Sequence, residues 1–121
     1  MTTQQKSFSK AENEVMPEFR RRINEAESTE DVKKFFTYTI RELFDKIFPD
    51  GAQVNLDEIR LQPEESPGYW ISESVLGRED VTGVWSMSDL PNILERLAQV
   101  AGKRHAHLMK NPQRSESKIR M

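Results

Sequence analysis

The chain has 121 residues, 36% of them apolar and 31% charged, with no cysteine. It is sized for one domain with its own core, and disulfides, thiolate metal sites and thiol catalysis are excluded. No apolar run nears the roughly 20 residues of a membrane-crossing helix and residues 1–11 lack the apolar core of a secretory signal, so the expectation is a soluble, cytoplasmic protein. Charge is uneven: 52–102 carries nine acids against three bases, 103–121 carries six bases against Glu116 alone, and the whole chain nets −2, a polarity that points to charged partners.

Residues 1–8 are small and polar except Phe8, and a disordered N-terminus is expected there. Ser9 and Glu12 have capping-box spacing, which predicts a helix start. Pro17 lacks an amide proton, so this first helix is expected to kink at Met16 or begin anew at Pro17, with Phe19, Ile23 and Ala26 on one stripe. The second helix is the clearest. Ser28 and Thr29 are good caps, Glu30 and Asp31 suit the positive dipole end, and Val32, Phe35, Phe36, Ile40, Leu43, Phe44, Ile47 and Phe48 recur at threes and fours. Pro49, Asp50 and Gly51 end it.

Beyond Gly51 the apolar period shifts toward two, and three short strands are expected, over 53–62, 69–76 and 80–86. The first changes parity near Asp57, which implies a bulge or break. The run 63–68 makes a turn, after which Tyr69, Ile71 and Val75 share one face and Trp70, Ser72 and Ser74 the other. In the third, Val81 and Trp85 oppose Val84. Short connections make this an antiparallel meander. Ser88 or Asp89 then caps a last helix bearing Leu90, Ile93, Leu94, Leu97 and Ala101; Gly102 either ends it as a left-handed cap or, as the preferred reading, lies inside a longer helix reaching Lys110 that places His105 and Leu108 on the same stripe. The segment 111–121 reads as a flexible basic tail. The fold class is α+β: two N-terminal helices, a three-stranded meander covered by the 32–48 helix, and a C-terminal helix, in one domain over 9–110.

No catalytic, cofactor or metal signature is present. His105 and His107 stand two apart on a helix, about 200° around its axis at 3.6 residues per turn, and do not share a metal. Acidic pairs at Asp57 and Glu58, Glu64 and Glu65, and Glu79 and Asp80 fall at turns and read as solvated. The serines lack a nucleophile elbow, and the glycines make no phosphate loop. Two sets of residues remain as candidate interaction sites. Tyr69, Trp70 and Trp85, on neighbouring strands, offer aromatic surface to a protein partner or a second copy. Lys103, Arg104, Lys110, Arg114, Lys118 and Arg120, supported by Arg20, Arg21 and Arg22, offer cations to nucleic acid or an acidic protein. The leading expectation is a non-enzymatic adaptor or regulatory protein, with homodimerisation in view. The alternatives are a nucleic-acid-associated protein and an enzyme with an unrecognised acidic site.

Overall fold

The computed structural model describes residues 7–48 and 54–110. The expected tail at 111–121, with Arg114, Lys118 and Arg120, lies outside them, as do the turn residues 49–51. Among the described residues the protein is mostly helical α+β: five α-helices and one two-stranded antiparallel sheet.

Helix α1 (Ser9–Glu25) buries Val15, Phe19 and Ile23. It runs through Pro17 rather than restarting there. Ser9 and Glu12 do not form the expected capping box: the cap residue is Phe8, without a side-chain cap bond, and the Glu12 carboxylate is drawn instead to Arg96. The Phe8 amide donates to Asp89 Oδ1 at 2.8 Å, and its ring packs against the core.

Helix α2 (Thr29–Ile47) follows its sequence pattern closely. Ser28 Oγ accepts from the Asp31 amide at 3.1 Å, satisfying one of the orphan donors of the first turn. Val32, Phe36, Ile40, Leu43 and Phe44 have no measurable exposure, each such side chain contributing about 1.5–3 kcal/mol by leaving water. Lys33, Lys34, Arg41, Glu42, Asp45 and Lys46 take the solvent face.

The meander is where sequence and structure part. The expected first strand becomes a 3-10 turn (Leu56–Glu58) followed by β1 (Ile59–Leu61). The parity change at Asp57 marks that turn, closed by a capping box in which Glu58 Oε1 accepts from the Asn55 amide at 3.0 Å. The second strand shortens to β2 (Tyr69–Ile71), paired Ile59 to Ile71, Arg60 to Trp70 and Leu61 to Tyr69. Val75 lies instead on α3 (Glu73–Leu76), and Ser72 caps that helix by accepting from the Val75 amide at 3.3 Å. There is no third strand at 80–86. Those residues form α4 (Glu79–Met87), because Val81, Val84 and Trp85 stand at i, i+3 and i+4, a helical face, and Glu79 and Asp80 favour a helix start.

Helix α5 (Leu90–Lys110) reaches Lys110 as expected, with Gly102 inside it and His105 on the buried stripe. Ser88 Oγ accepts from the Leu90 amide at 3.1 Å, while Asp89 turns toward Ser7 and Phe8. Helices α1, α2 and α5 pack together, and the ribbon lies against α2 and α5. Gly68, at φ 101°, closes the ribbon turn where an added Cβ would stand 3.2 Å from Ala98 Cβ on α5, so turn and helix meet with little space between them.

Candidate functional site

The ribbon has two unlike faces because side chains alternate along a strand. Ile59, Leu61 and Ile71 point into the core, and Tyr69 on the same face is half-buried. Trp85 meets Tyr69 edge to face, centroids 6.3 Å apart, but from helix α4 rather than from a neighbouring strand. The Tyr69 hydroxyl is pushed up to about 12 by burial and then by the charge of Glu95. Trp70 looks the other way. The Arg60 guanidinium stands 4.7 Å from its ring centroid, a cation over an aromatic face.

That outward pair continues into an exposed surface. Arg60 lines a shallow groove of about 350 Å³ together with Tyr38, Leu56 and the buried Ile59 as its apolar residues and with Lys33 and Lys34. Tyr38 is 42% and Leu56 39% exposed, among the few large apolar side chains so open to solvent. At the groove floor Thr37 Oγ1 donates to the Ile59 carbonyl at 3.1 Å and ties α2 to β1. Three cations against Glu30 make the lining net positive. Tyr38, Leu56 and Arg60 were absent from the sequence candidates. Tyr38 was detectable as an aromatic on the polar side of the α2 stripe, but its neighbours on β1 come from contacts across the fold.

The basic candidates divide. Arg104 bridges α5 to α1, its Nε and Nη2 donating to the Ala26 carbonyl at 3.2 and 2.7 Å, where a cation also suits the negative helix end. Lys103 and Lys110 are exposed on α5. Arg21 and Arg22 pair with Glu18 and Arg21 also with Glu25 on their own helix, and Arg21 foremost holds the Glu18 carboxyl below its usual range. Arg20 has no such partner among the described residues. It faces Lys103 across the α1/α5 seam, where a groove of about 330 Å³ is lined by Arg20, Asn24, Val100, Lys103, Arg104 and His107.

His105 is buried, 8% exposed, and His107 is on the exposed side of the same helix. Burial first, then Lys33, depresses the His105 pKa against the opposing pull of Glu64. Among the described residues no group of three or more His, Asp or Glu side chains is placed to hold a metal ion, and no helix is long and apolar enough to cross a membrane. Glu58 joins the ribbon to α3, its Oε2 accepting from Ser72 Oγ at 3.1 Å. Glu64 and Glu65 are exposed in the ribbon turn, and Glu79 and Asp80 in the first turn of α4. Comparison with protein-family models, curated proteins and solved structures finds no match to this chain.

Proposed function

We propose that this protein is a non-enzymatic adaptor that binds an acidic segment of another protein through the surface formed by Tyr38, Leu56, Arg60 and Trp70. The observation that carries this reading is the Arg60 and Trp70 pair, held outward on a ribbon whose other face is in the core and flanked by exposed Tyr38 and Leu56. Tyrosine, tryptophan and arginine are the side chains that most often dominate protein interfaces, the two aromatics because each covers much area with two rotors to freeze and arginine because its planar fork pairs with carboxylates and stacks on rings. The apolar centre suits one aliphatic or aromatic side chain of the partner. Lys33, Lys34 and Arg60 around it suit carboxylates on either side of that anchor.

The test is selection of random displayed peptides on the 121-residue chain. The expected sequences place Asp or Glu around a Leu, Phe or Trp. Tyr38→Ala and Arg60→Glu each weaken the selected peptides at least tenfold, about 1.4 kcal/mol, while Lys103→Ala leaves them unchanged. Peptides without acidic residues, or affinities indifferent to both substitutions, would overturn the reading. A mass twice the chain's 14.1 kDa in light scattering, lost on Tyr38→Ala, would make the partner a second copy instead.

A further inference from the structure

We infer that the seam between α1 and α5 is a second binding site, which takes the phosphate backbone of a nucleic-acid duplex. The two helices bring Arg20 and Lys103 to the same groove, although 83 positions separate them in the chain. Neither makes an ion pair among the described residues, whereas Arg21 and Arg22 beside Arg20 are both engaged with glutamates. No carboxylate lines this groove. An adjoining hollow of about 370 Å³ shares Arg20, Val100 and Lys103 with it, and the one carboxylate there, Glu12, is held in a bidentate pair by Arg96. Positive charge is therefore concentrated along the seam in a protein that is acidic as a whole.

The shape of the charge selects the ligand. Lys103, His107 and Lys110 stand at i, i+4 and i+7 on α5, one helical face extending roughly 10 Å at 1.5 Å per residue. This is a track, suited to a repeating anion more than to a single phosphate. Its lining holds no Phe, Tyr or Trp and a single imidazole, His107, too little for the run of stacked rings on which successive unpaired bases are gripped. Cations spaced along a helix contact phosphates first, as in sequence-independent binding to a duplex. The Tyr38 surface lies outside this lining, so the site stands apart from the proposed protein-binding surface, while Lys103 also borders the ribbon-turn groove that holds Glu64, Glu65 and Glu95.

The experiment is fluorescence anisotropy of the full chain with a labelled 20-base-pair DNA duplex across a salt series. Wild-type affinity is expected to fall linearly in log–log form. The double variant Arg20→Ala/Lys103→Ala is expected to lose at least tenfold in affinity near 50 mM salt and to flatten the slope by about 1.8, from about 0.9 per phosphate contact. The charge-matched control Lys10→Ala/Arg41→Ala keeps the wild-type slope. Both pairs are exposed side chains, and an unchanged circular dichroism melt verifies folding. The inference is overturned by absence of duplex binding at low salt, by a double variant that binds like the control, or by tighter binding of the corresponding single strand. Binding lost on truncation after Lys110 but untouched by the double variant would also overturn it, by assigning the contact to 111–121.

Discussion

His105 is the residue on which pH acts most directly. Its side chain is 8% exposed, and burial with the nearby Lys33 charge lowers its pKa below the ordinary 6.5. The unfolded chain therefore takes up this proton at higher pH than the folded one, and folding stability from this group is complete above about 6.5 and declines as pH falls through that value toward the depressed folded one. Urea denaturation at a series of pH values from 7.5 to 5 is expected to show this decline in the wild type. In His105→Leu the part due to this group vanishes, and an identical pH slope in both would show that other groups cause it. Arg20 teaches a related lesson. Arg21 and Arg22 have glutamates three or four positions away, whereas Met16, Pro17, Ile23 and Asn24 occupy those positions around Arg20. Its lack of a local partner was therefore legible in the sequence, and its meeting with Lys103 was not.

At the scale of elements, an ion pair joins α1 to α5. Arg96 Nε and Nη2 donate to the two Glu12 oxygens at 2.8 Å each, with the glutamate side chain only 11% exposed and the arginine 49%. Removing the arginine strands a nearly buried carboxylate, while removing both polar groups strands nothing. Arg96→Ala is expected to lower stability by about 1–2 kcal/mol, discounted for the half-exposed cation, and Glu12→Leu/Arg96→Leu to recover most of that. Chemical denaturation measures both, and equal losses in the two would show that packing rather than charge pairing governs the contact. The helices α2 and α5 were legible because long amphipathic stripes admit one period. The region 72–87 was not, because Val, Trp and Ser suit strands and short helices alike, and the cap formed by Ser72 is a signal only three residues deep.

For the whole molecule, two surfaces of different chemistry share no lining residue: an aromatic and arginine surface on α2 and the ribbon, and a cationic seam between α1 and α5. With no residue in common, the two surfaces are expected to be occupied independently. A selected acidic peptide at saturation is expected to leave duplex affinity within twofold, and the converse must hold by linkage. A tenfold change in competition anisotropy would show that the two sites are coupled or that both ligands use one surface.

The sequence by itself determined the core and its helices: the stripes from Val32 to Phe48 and from Leu90 to Leu108, the cap at Ser28, and the contrast between the acidic middle and the basic C-terminal segment. These are local properties, set by periodicity, capping chemistry and charge. Tertiary structure decided how many strands there are, because a short apolar run becomes strand or helix according to what it packs against, and Val81 and Trp85 meet the core from a helix. It also decided which side chains share a surface. Tyr38 with Arg60, and Arg20 with Lys103, are brought together only when distant elements pack, and side-chain spacing along one element carries no record of that.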